Sequence, residues 1–195
     1  SLAGDLVDLD IPHLYGFMPA LQGMSGRVNS NFRLNTSGID VYTWLYNMQG
    51  NIVMAARDAV VDGFNLPGIV NAVGYVRTVA DILDAVKRAF PGGSTVFNSM
   101  DGEMTVGNGV LRFPTSILRN DMADGEFTGQ IDLINWKMVG NLVLSITYLD
   151  RVAPPKMAIS YRGNLDEVEK ELDTRLLERY VANKTSEKLL QSPNP

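Results

Sequence analysis

Two spacings of apolar residues take turns along the chain. Leu2 to Leu9 separates loosely into alternating faces, and Arg27 to Thr36 does so clearly, with Val28, Phe32 and Leu34 on one side. A period of two predicts strands. Between them Leu14, Phe17, Met18 and Leu21 fall at helical spacing after Pro12 and before Gly23, predicting a short helix over His13 to Leu21. A second short helix is expected from Gly38 to Tyr46, then two tightly joined strands, Asn51 to Asp58 and Ala59 to Gly63. Val76 to Phe90 carries the clearest helical stripe: Val76, Val79, Ala80, Leu83, Val86 and Phe90. Thr78 and Asp81 stand at capping-box spacing, and Pro91-Gly92-Gly93 supplies the stop.

Thereafter the pattern is almost wholly extended. Glu103 to Val106 and Val110 to Phe113 flank Gly107-Asn108-Gly109, whose Asn-Gly step suits a primed hairpin turn. Further strands are expected from Glu126 to Leu133, Trp136 to Leu149 and Lys156 to Arg162. In the second of these the even positions are Trp136, Met138, Gly140, Leu142, Leu144, Ile146 and Tyr148, while the odd ones include Lys137, Asn141, Ser145 and Thr147. At about 3.3 Å per residue this stretch would span roughly 46 Å, about twice the usual strand. Met157, Ile159 and Tyr161 repeat the alternation opposite Lys156, Ser160 and Arg162. A last helix is expected from Asn164, with Leu165, Val168, Leu172, Leu176 and Tyr180 on one side. The expected fold is α+β and β-dominated: a long antiparallel sheet with an apolar face plus a few amphipathic helices. One domain is expected over residues 1–181, with helices inserted at about 65–91, followed by a polar tail over 182–195 that should fray.

Composition narrows the chemistry. Lys and Arg number 17 against 22 Asp and Glu, a net charge of −5, so the phosphate-neutralising footprint of a nucleic-acid binder is missing. The absence of cysteine removes disulfides, thiolate metal sites and cysteine nucleophiles. No apolar run has the length of a membrane span, and the start, which lacks Met and falls inside an alternating stretch, reads as a piece of a longer chain. His13, the single histidine, has no serine or carboxylate at motif spacing. Asp121, Asp124 and Glu126, like Asp101 and Glu103, sit beside turn glycines and read as solvated loop charges, although a hydrolase could use such pairs if they converged on a cleft. No catalytic residue, metal ligand or cofactor is expected. The nine methionines are ordinary core filling, but Met138 and Met157 fall on the apolar strand faces.

Several segments in order carry a family resemblance. They are Gly92-Gly93-Ser94-Thr95-Val96-Phe97-Asn98-Ser99-Met100-Asp101-Gly102 with the hairpin Met104 to Val110, then Gly129-Gln130-Ile131-Asp132-Leu133-Ile134-Asn135-Trp136, then Pro154-Pro155-Lys156 through Gly163-Asn164-Leu165. Upstream, Gly50 to Met54 and Asp62-Gly63-Phe64-Asn65-Leu66 continue the set. Together they resemble the C-terminal region of the AsmA-like family, bacterial envelope proteins related to TamB. The match does not extend to that family's anchor helix or long middle region. The resemblance implies a periplasmic location, a parent protein anchored in the inner membrane, and a curved sheet whose apolar groove takes part in phospholipid movement and outer-membrane homeostasis. Phospholipid acyl chains would then be the ligand, and other segments of the parent chain or envelope proteins the partners. Trp136, Met138, Leu142, Leu144, Ile146, Met157, Ile159 and Tyr161 are the candidate groove lining. For the same face the alternative is a closed core beneath the helices. For function, the alternative is a scaffold module of an envelope assembly that binds no lipid.

Overall fold

In a computed structural model, described over residues 1–191 apart from 17, 19–20, 76–78, 91 and 151–152, nine antiparallel strands form a single open sheet in sequence order. They are β1 (Leu2–Asp10), β2 (Met24–Asn35), β3 (Gln49–Asp62), β4 (Ser94–Gly107), β5 (Val110–Arg119), β6 (Asp124–Asp132), β7 (Lys137–Ser145), β8 (Lys156–Asn164) and β9 (Glu167–Asp173). Four α-helices accompany them: α1 (Val41–Asn47), α2 (Leu66–Tyr75), α3 (Val79–Ala89) and α4 (Arg175–Gln191). The fold is thus β-dominated α+β, as the alternation predicts.

Register carries one apolar face across all nine strands. Leu2 lies opposite Leu34, Phe32 opposite Ile52, Met54 opposite Gly102, Leu111 opposite Ile131, and Leu142 opposite Ile159. The sheet curls about this face. Register shifts interrupt the β1–β2, β2–β3, β4–β5 and β5–β6 pairings, with the extra residue on β1, β3 and β5, and such bulges bend and twist a strand. Pro114, which has no N–H to give a ladder, sits in the shift between Phe113 and Ser116. Lys170 on β9 brings its Nζ within 3.5 Å of where a Cβ on Gly63, just past β3, would stand. Strands six places apart in the sheet therefore meet.

The connections sort by end. At one end lie α2 and α3 between β3 and β4, α4 after β9, and the β1–β2 link with its 3-10 turn Ile11–Leu14. There Leu66, Ile69, Val70, Val86, Leu177 and Val181 pack on Phe97, Leu118, Leu144, Ile146, Met157 and Ile159 in the largest core. At the other end are α1 and three short turns. One of these is Asn108-Gly109, where φ is +54° and +73°, the two positive angles that the predicted primed turn requires.

Several expectations need correction. The helix expected from Asn164 is instead the turn at Leu165-Asp166 followed by β9, and α4 begins only at Arg175. Its buried side is Leu177 and Val181, while Leu176 is exposed. Past residue 181 the helix continues to Gln191 into the expected tail, whose Lys, Glu, Leu and Gln are all helix formers. The long strand from Trp136 stops at Ser145, because Trp136 occupies a turn at φ +56° and Ile146 to Leu149 turn back. The two strands expected over Asn51 to Gly63 are one, Gln49–Asp62, kinked at Asp58, where φ is +49°. Ahead of β2 the helical stretch is only Ile11–Leu14, and Phe17 lies outside the described residues. The stripe from Val76 begins as α3 at Val79, and the Thr78 cap lies outside the described residues.

Candidate functional site

The curled face encloses a cavity of about 400 Å³, within the roughly 300–1,000 Å³ usual for small-molecule sites. Its walls are Met54, Met100, Phe113, Leu118, Phe127, Ile131, Met138, Leu142 and Tyr161, contributed by β3 to β8. Polar side chains gather on the two flanks that approach each other, Gln22 and Asp62 on one and Asp166 and Lys170 on the other. An apolar interior with a few polar groups at its rim orients amphiphiles.

The floor follows from two glycines. Gly129 faces Gly140 across β6 and β7, with Phe113 beside the first and Tyr161 beside the second. A Cβ on Gly140 would stand 2.7 Å from the Phe127 ring, and one on Gly129 would stand 3.2 Å from it. The ring thus lies over the glycine pair. It meets Phe113 edge-on at 5.7 Å and Tyr161 at 6.1 Å, geometries that aromatic quadrupoles favour. Burial in this apolar setting pushes the Tyr161 phenol up to about 12, because the phenolate would lose its hydration.

The eight residues singled out by alternation divide. Met138, Leu142 and Tyr161 line the cavity. Leu144, Ile146, Met157 and Ile159 do not: all four are buried in the core beneath α2, α3 and α4. Trp136 stands on the β6–β7 turn, packs among Ile131, Met138 and Leu165, and donates its indole N–H to Asp166 at 3.3 Å. Of the eight, four thus lie in the closed core, three line the cavity, with Leu142 shared between the two, and Trp136 lies in neither. Phe113, Phe127 and Met54 lie on strands whose alternation is legible, yet they were not singled out. Lys170 and Val168 were hidden by the helical reading of residues 164–173.

Of the acidic residues read as loop charges, Asp101 lines the cavity, whereas Glu103, Asp121, Asp124 and Glu126 do not. Glu126 and Asp124 are exposed on the outer face of β6, and Asp121 accepts a hydrogen bond from Asn98. Asp101 pairs with Arg57 at 2.7 Å. His13 is exposed on the 3-10 turn. Among the described residues, no group of three or more His, Cys, Asp or Glu side chains is placed to hold a metal ion, and no helix is long and apolar enough to cross a membrane.

Comparison with protein-family models, with curated proteins and with solved structures finds no match to this chain.

Proposed function

We propose that the curled sheet handles phospholipid, holding part of an acyl chain along the apolar face between β3 and β8. The observation that carries this reading is the 400 Å³ cavity walled mainly by Met, Leu, Ile and Phe side chains, with few polar groups among its lining residues. Each buried CH₂ contributes about 0.8 kcal/mol, so about eight methylenes supply roughly 6 kcal/mol before ordering costs. The strand ladders keep the backbone groups paired, so apolar tails can lie on the sheet without stranding an N–H or C=O. The segment resemblance to AsmA-like proteins supports the same reading. On it rest the periplasmic location, the inner-membrane-anchored parent and the role in outer-membrane biogenesis and lipid transport. In this reading the domain is non-catalytic.

The test uses neighbours on opposite faces of β7. A photo-crosslinking side chain at Met138 faces the cavity, and one at Val139 points outward and is exposed. Phospholipid adducts at 138 and none at 139 are expected. Equal labelling at both positions, or none at either, would sink the reading. The second reading, an interaction module without lipid, is favoured by the open β1 edge, where Leu2 and Val7 are exposed. It requires a strand partner on that edge.

A further inference from the structure

The end of the sheet away from α2 to α4 carries an exposed apolar tip. Ile39, Val41, Tyr42, Trp44 and Tyr46 all stand exposed within eight residues, and none of the seven residues of α1 is buried. A helix this short does not hold itself together in water, and burial of its aromatic groups does not hold this one. Hydrogen bonds do. The Asp40 carboxylate accepts from the Thr43 N–H at 2.7 Å, the Thr36 hydroxyl donates to the Trp44 carbonyl at 2.6 Å, and the Asn47 amide donates to the Ser37 carbonyl at 2.8 Å. The loop is thus fastened by polar groups in a way that leaves its large side chains on display.

Charge identifies what these side chains suit. From Leu34 to Gly50 the sequence contains one ionisable carboxylate, Asp40, which is committed to the cap, and no Lys or Arg. Anionic surfaces and acidic partners find no cation here. Trp and Tyr, with apolar bodies and polar tips, favour the layer between headgroups and hydrocarbon. The tip is also continuous with the apolar face: Leu34 before it and Met48 after it both pack in the cluster that contains Ile52, Ile131 and Met138.

We infer that this tip docks on a zwitterionic phospholipid bilayer, with Trp44, Tyr42 and Tyr46 seated at its interface. The inference rests on α1 rather than on the cavity, so either can fail without the other. The chain has two tryptophans, and Trp136→Phe leaves Trp44 as the sole reporter. With phosphatidylcholine vesicles brominated at shallow acyl positions, Trp44 emission should shift to the blue and be quenched. Flotation should persist from about 0.1 to 0.5 M salt, where screening removes surface electrostatics. The triple change Ile39→Ser, Tyr42→Ser and Trp44→Ser should cut vesicle binding at least tenfold while the urea midpoint stays close to that of the parent.

Unquenched Trp44, binding that needs anionic lipid, or flotation undiminished in the triple variant would each overturn the inference. A dimer that the triple variant abolishes, in a protein that never floats, would overturn it too and would assign the tip to contact between copies.

Discussion

Thr95 is the one buried polar side chain among the described residues, and its hydroxyl ties the sheet to the helical cover. It accepts from the Leu66 N–H at 3.0 Å and donates to the Phe64 carbonyl at 2.6 Å. Leu66 opens α2, and first-turn N–H groups have no partner inside their own helix, so β4 supplies the missing cap. Thr95→Val preserves shape and strands both groups, at about 1–3 kcal/mol each and about 2–6 kcal/mol together. Thr95→Ser keeps both bonds and loses one methyl, about 1 kcal/mol. With a urea m-value of about 2 kcal/mol/M, the valine midpoint should fall by about 1–3 M, below that of serine. Amide exchange in α2 should quicken first, because its tether is what was cut. A valine variant at least as stable as the serine variant would refute the bridging role of the hydroxyl.

Gly140→Ala places a methyl against the Phe127 ring and should cost about 1–3 kcal/mol of thermal stability by overpacking; adding Phe127→Leu should recover part of it, and a neutral Gly140→Ala would show that the ring is not held there. In an absorbance titration one of the seven tyrosines should ionise near 12, and Tyr161→Phe should remove that step. Because the folded value is raised, the associated stability is present below about pH 10 and is lost as pH climbs through 12; a superimposable curve for the variant would contradict the assignment. Asp173 is held at about 2, first by its hydrogen bond from the Arg175 side chain and then by the Arg175 N–H. Its stabilisation is therefore present above about pH 4 and lost as pH falls toward 2, and Asp173→Asn should flatten that limb of an acid-unfolding curve. Stripping bound lipid with detergent and exchanging back to buffer should lower the melting temperature, and phosphatidylcholine should restore it by mass action; identical melting with and without lipid would argue for an unoccupied cavity.

Much of the sheet was legible because β7 and β8 alternate without interruption: Met138, Leu142 and Leu144 face Gly163, Ile159 and Met157 as the period of two requires. Asn108-Gly109 named its own turn. Residues 165–173 were not legible, since Leu165, Val168 and Leu172 sit three and four apart and satisfy a helix as well as a strand. The alternation of Glu167, Glu169 and Glu171 with Val168, Lys170 and Leu172 was present, but Lys170 on the inner face broke its apolar side. What covers a face is not written in its period. Ile159 and Tyr161 share one side of one strand, yet the first lies sealed in the helical core and the second faces the cavity.

That division explains why the cavity persists. Closing it by sliding a strand one residue would turn the apolar set outward, and eight antiparallel pairings hold the register against that slip. Closing it by moving the helices is resisted at the Thr95 bridge, which anchors α2 over the other half of the face. A sealed, empty apolar void of 400 Å³ would cost about 10 kcal/mol at roughly 24 cal/mol per Å³, comparable with the whole stability of an ordinary domain. A fold does not sustain that penalty in isolation. The physical alternatives are an open, wetted mouth between Asp62 and Lys170 or an apolar occupant, and the mostly apolar walls around Phe127, interrupted by Ser116 and Tyr161, offer water few partners. In the proposed reading the same restraints hold the cavity open for an amphiphile, whose tail would lie inside and whose head would lie among Gln22, Asp62, Asp166 and Lys170.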